Sequence, residues 1–79
     1  MTPGSGTPIT WHLDPTVWKR ARLGRCQAEM WCLEIGGGTG WAVFGPDAGP
    51  ASGQGTAPTP EEAQAQAERA LRAAYEAAS

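Results

Sequence analysis

A single histidine, His12, and two cysteines, Cys26 and Cys32, are the only nitrogen and sulfur side chains that these 79 residues offer toward zinc coordination or thiol catalysis. Zinc takes three or four protein ligands, and a nucleophilic thiol needs a base within hydrogen-bond reach. The two cysteines read as members of one extended strand. Their Cα atoms would then stand roughly 20 Å apart, well beyond the ~7 Å a disulfide spans. Both are expected to be free thiols in a reducing cytoplasm, since a secreted chain this short ordinarily carries more cysteine. Long hydrophobic runs are also missing. None approaches the roughly 20 residues of a membrane span, and Met1 to Thr10 has neither the charged start nor the apolar centre expected of a signal peptide. Basic charge is scarce as well. Six Lys and Arg stand against eight Asp and Glu, a net charge of −2, which speaks against general nucleic-acid binding. The chain is therefore read as a non-enzyme with no cofactor and no metal. It is expected to act by binding another macromolecule, as a monomer or homodimer, away from membranes.

What is present points to one small α+β domain over residues 9–79, preceded by a flexible segment, residues 1–8, in which Pro3, Gly4, Gly6 and Pro8 oppose regular structure. Ile9, Trp11 and Leu13 alternate with polar neighbours, which predicts a short strand. Asp14-Pro15 reads as an N-cap followed by proline at the first helical position, with Leu13 and Trp18 as a hydrophobic staple. That favours a short N-terminal helix through Lys19, Arg20 and Ala21 to a stop near Gly24. The competing reading is a strand, because Lys19, Ala21 and Leu23 also alternate with Trp18, Arg20 and Arg22.

Residues 26–35 predict a long strand, with Cys26, Ala28, Met30 and Cys32 on one face and Gln27, Glu29, Trp31, Leu33 and Ile35 on the other. The glycine run 36–40 makes a turn and Trp41–Phe44 returns, giving a central hairpin. The run has neither the spacing nor the Lys-Ser/Thr pair of a phosphate loop. Gly, Pro, Ala and Ser dominate residues 45–58, a loop in which 53–57 offers a short edge strand. Thr59-Pro60-Glu61-Glu62 carries a capping box with proline at the first turn, and the helix should run to about Ala77. Ala63, Ala67, Ala70, Leu71 and Ala74 form its buried stripe. The fold class is a small antiparallel sheet, built on the hairpin and packed on a C-terminal helix, with the short N-terminal helix at an edge or on the opposite face.

Two features are candidates for contact with a partner. Lys19, Arg20, Arg22 and Arg25 are four of the six basic residues, so they form a patch able to meet phosphate or an acidic protein surface. Four tryptophans exceed what one small core encloses, so one or two are expected to lie partly exposed. Trp31 is the candidate anchor, since exposed tryptophan is enriched at interface hot spots, unless the N-terminal helix covers its face.

The order hairpin, Gly-rich loop and Thr-Pro-Glu-Glu-Ala helix start resembles HicB-like antitoxin domains, with Gly55, Thr59, Glu61, Glu62 and Ala63 as the matching positions over roughly the second half of the chain. That likeness implies a regulator that binds a partner toxin or nucleic acid. In length, acidic balance, Ala/Gly-rich composition and want of catalytic groups, the whole chain is similar to small prophage-encoded anti-CRISPR proteins, nearest to inhibitors of type I-C interference. Such a likeness implies a cytoplasmic protein in a bacterial host. It would bind a CRISPR surveillance complex and keep it from target DNA, with direct nucleic-acid contact the lesser expectation.

Overall fold

The computed structural model describes residues 9–46 and 51–78, and the expected flexible segment 1–8 lies outside them. Among the described residues the chain forms β1 (Trp11–Leu13), β2 (Lys19–Leu23), β3 (Cys26–Cys32), β4 (Thr39–Phe44), β5 (Gly53–Ala57) and then α1 (Pro60–Ala78). The strands lie in sequence order, each antiparallel to the next. The helix packs across one face of this sheet, so the fold is α+β with two layers.

The predicted N-terminal helix does not form. Its cap signal is real but closes a turn: Asp14 Oδ1 accepts hydrogen bonds from the backbone N–H of Thr16 (2.8 Å) and Val17 (3.3 Å). The Asp14 N–H then donates to the Trp18 carbonyl at 3.1 Å, and the chain re-enters the sheet as β2. The strand wins because its alternation satisfies two neighbours at once. Ala21 and Leu23 go to the core while Arg20 and Arg22 go to the opposite face, and both strand edges are hydrogen-bonded, to β1 and to β3. A short helix over these residues would satisfy only its own backbone. Gly24 does adopt positive φ (+62°), but as the first central residue of the two-residue turn joining Leu23 to Cys26, where glycine suits a type II′ hairpin, and not as a helix stop.

The core lies between the sheet and α1. Cys26, Ala28 and Met30 from β3, with Trp41 and Val43 from β4, meet Ala63, Ala67 and Leu71, all of them buried. Ala70 and Ala74 pack partly buried beside them, so the alanine stripe is the face that touches the sheet. Small side chains let the helix axis come close, and Leu71 fills what depth remains. Two tryptophans tie the layers by their ring N–H groups: Trp11 donates to Glu68 Oε2 at 2.8 Å and Trp41 to Gln66 Oε1 at 2.9 Å. At the helix start, Thr59 Oγ1 accepts from the Glu62 N–H at 3.2 Å, as the capping sequence requires. The expected edge strand over 53–57 is β5. Within the long predicted strand, pairing ends at Cys32, and Leu33 to Gly38 form a loop closed by the Leu33 N–H to the Gly38 carbonyl, 3.1 Å. Gly36, Gly37 and Gly38 in that loop all take positive φ.

Candidate functional site

Strand alternation decides what each sheet face presents. The face under α1 takes the apolar set. The other face receives His12, Arg20, Arg22, Gln27, Glu29, Trp31, Gly40, Ala42, Phe44, Gln54 and Thr56, as the cross-strand registers require. No described element lies over it, because the segment expected to cover it became β2.

The four basic residues do not form a single patch. Period-two geometry throws Lys19 to the helix side with Ala21, and its Nζ sits 4.6 Å from the centroid of the Trp18 ring, a cation–π contact. Arg20 points to the uncovered face and is already engaged. It faces Glu29 directly across the β2–β3 pair, with Nη2 2.9 Å from Glu29 Oε2, and its Nη1 lies 3.6 Å from Asp14 Oδ2. The Asp14 carboxyl is held below the ordinary carboxylate range, chiefly by the Thr16 and Val17 N–H donors, with burial opposing them and the Arg20 charge adding the smallest effect. Arg22 projects from the uncovered face, Arg25 sits in the following turn, and both are exposed. Of the basic set, Arg22 and Arg25 thus have neither an ion pair nor a ring contact among the described residues, while Lys19 has the ring contact alone.

Trp31 stands on the uncovered face, partly exposed, and its indole lies over Gly40 on the neighbouring strand. A Cβ at Gly40 would fall 2.5 Å from Trp31 Nε1. The ring is thus held against the backbone of β4 while part of it remains open to solvent. Phe44, partly buried, stands on the same side of β4. Of the other tryptophans, Trp41 is buried and Trp11 and Trp18 pack partly exposed against the core. No tryptophan is fully exposed.

Sequence reasoning missed the end of the sheet where the β1–β2 and β3–β4 connections lie side by side. Leu13 is 79% exposed there and Ile35 93%. Alternation alone places Ile35 on a strand face, but the chain has left the sheet before it. The glycine run that begins one residue later is the signal for that departure.

Cys26 is buried at the start of β3 and Cys32 exposed at its end, both as free thiols. Among the described residues no group of three His, Cys, Asp or Glu side chains comes together in a way that could hold a metal ion, and no helix is long and apolar enough to cross a membrane. Compared with protein-family models, with curated proteins and with solved structures, the chain matches none.

Proposed function

We propose that this chain is an inhibitor that works by occupying surface: it binds a host nucleoprotein complex, a type I CRISPR surveillance complex of the bacterial cytoplasm, and blocks its engagement of target DNA. The observation that carries the binding role is the uncovered sheet face, on which a half-held Trp31 and an exposed Arg22 stand at opposite ends with the already neutralised Arg20–Glu29 pair between them. The Arg20–Glu29 pair can be buried without leaving an unpaired charge, Arg22 is left to meet an anionic group of the partner, and the aromatic ring is pre-positioned, which lowers the entropy lost on association. Arg22 and Arg25 supply steering toward an acidic or phosphate-bearing surface. The choice of a CRISPR complex rests on the chain's likeness to anti-CRISPR proteins in size, acidity and composition. The chain performs no chemistry in this reading and uses no cofactor.

The test is co-elution with a reconstituted type I-C surveillance complex, then target-DNA binding with and without the protein. Stoichiometric co-elution and loss of DNA binding are expected, both weakened in Trp31→Ala and Arg22→Glu. Absence of co-elution at micromolar concentrations ends this reading.

A second reading has its own support. Gly55 in β5 and the Thr59-capped start of α1 stand in the order that HicB-like antitoxin domains use, and that reading makes the chain a regulator of a partner toxin or of nucleic acid. It predicts that a toxin is encoded beside it and co-purifies with it.

A further inference from the structure

The two edges of the sheet are not alike. β1 has three residues and is followed directly by the charged Asp14, so its edge is short. β5 has five residues, Gly53-Gln54-Gly55-Thr56-Ala57, with no charge and no proline, and none of the described strands pairs with its outer side. Alternate residues of β5 therefore point backbone N–H and C=O groups away from β4, without the lysines, prolines or bulges that usually protect such an edge.

We propose that β5 is a self-association edge: two copies of this chain pair their β5 strands antiparallel about a two-fold axis at Gly55, so that the two sheets continue into one. Pairing of this kind is independent of the proposed function.

The strand is self-complementary in that register. Gln54 faces Thr56 of the second copy, a polar pair on the uncovered face, where both side chains are exposed. Gly53 faces Ala57 of the second copy on the helix side, and Gly55 lies on the axis. Since β5 carries no ionisable side chain, two copies meet there without like charges opposed, despite a net charge of −2 each. The glycines also have a specific consequence. The Trp41 ring reaches from β4 over β5, with ring atoms 3.0 and 3.1 Å from a Cβ position at Gly55, and Ala70 Cβ lies 3.6 Å from that of Gly53. The helix side of the edge is thus already filled from within, and an incoming strand with bulky side chains there would meet the Trp41 ring. A second β5, with glycine and alanine at those positions, fits beside it and brings the two Trp41 rings to either side of the axis. Closed two-fold pairing is also the commonest form of self-association.

The experiment is sedimentation equilibrium on the intact chain and on two variants, Gln54→Lys with Thr56→Lys, and Gln54→Glu with Thr56→Glu. Each places like charges opposite one another twice across the axis. Both positions are exposed, so the variants should fold, as far-UV circular dichroism will check. The parent is expected at twice the single-chain mass of 8.3 kDa. Each variant alone should self-associate at least about tenfold more weakly, and an equimolar mixture should recover dimer through opposite charges. A parent that stays at single-chain mass up to millimolar concentration overturns the proposal. So does a lysine variant that dimerises as tightly as the parent, or a mixture that stays apart. The readout is the mass of the isolated chain, so its failure is distinct from failure to bind a host complex.

Discussion

The indole of Trp31 occupies the space that a side chain on Gly40 would need, Nε1 lying 2.5 Å from the Cβ position. Glycine at 40 is thus required by its cross-strand neighbour and not by backbone conformation, since among the described residues the positive-φ glycines are elsewhere, at 24 and 36–38. Gly40→Ala should lift the ring off the sheet and cost about 1–3 kcal/mol, the range for overpacking a fitted contact. Urea denaturation measures the loss, and near-UV circular dichroism reports the displaced indole. A variant within about 0.5 kcal/mol of the parent with an unchanged spectrum would show that the ring is not held there.

Acid should weaken the domain through Asp14. Its carboxylate accepts from Thr16 and Val17 and lies near Arg20, so its pKa is lower folded than unfolded. A group with a depressed folded value contributes stability that is fully present above the unfolded value, ordinarily about 3.9, and that is lost as pH falls through the folded value. Asp14→Asn keeps an oxygen for the turn but has no charge to titrate. Parent and variant should therefore differ at neutral pH and converge as pH falls below the ordinary carboxylate range and through the lowered folded value, as read by midpoints of denaturation at several pH values. A constant difference across that range would remove Asp14 as the cause.

Much of this fold is legible from residue order. The alternation in 26–32, the glycine turn, the edge strand 53–57 and the Thr59-capped alanine helix each carry a local signal that agrees with the tertiary structure. The N-terminal helix does not, and the reason is physical. Asp14-Pro15 encodes only the entry geometry of a turn, which a helix and an Asx-turn share. The conformation of residues 19–23 is then settled by pairing partners on both sides, β1 and β3, which a local reading does not contain. The basic patch fails for the same reason, because a helix would gather Lys19, Arg20 and Arg22 loosely together while a strand divides them between faces. Alternation alone puts Trp31 on the face away from the core. Its seat on Gly40 depends on the β3–β4 register, which the length of the glycine loop does not give.

The helix–sheet spacing should be intolerant in both directions. Leu71 is fully buried, and Leu71→Ala removes its bulk at a cost of roughly 2–5 kcal/mol. Ala67 is equally buried and lies on the same face of α1. Ala67→Leu has no space to enter and should cost about 1–3 kcal/mol by pushing the helix away from the sheet. Removing the cap with Thr59→Ala should cost about 1 kcal/mol. Guanidinium denaturation of the three variants gives the order. If Ala67→Leu proved stabilising, the layers would be less closely packed than the contacts require.

Arg20 and Arg22 stand two residues apart on the same face of the same strand, yet their substitutions should separate stability from recognition. Arg20 satisfies Glu29 and Asp14 at once, so Arg20→Ala leaves two partly buried carboxylates facing each other's field without a cation. The loss should be on the order of 1 kcal/mol, the upper range for a partly exposed pair, and should shrink as salt is added. Arg22 is exposed and makes no ion pair among the described residues, so Arg22→Ala should leave the midpoint of unfolding within about 0.5 kcal/mol of the parent. If the uncovered face is the binding surface, Arg22→Ala should instead slow association with the host complex, with most of the effect in the on-rate and vanishing at high salt. Arg20→Ala should change the on-rate less, because its charge is already spoken for. Denaturation and stopped-flow association on the same two variants decide between these roles, and an Arg22 variant that destabilises the fold as much as the Arg20 variant would mean that both arginines are structural.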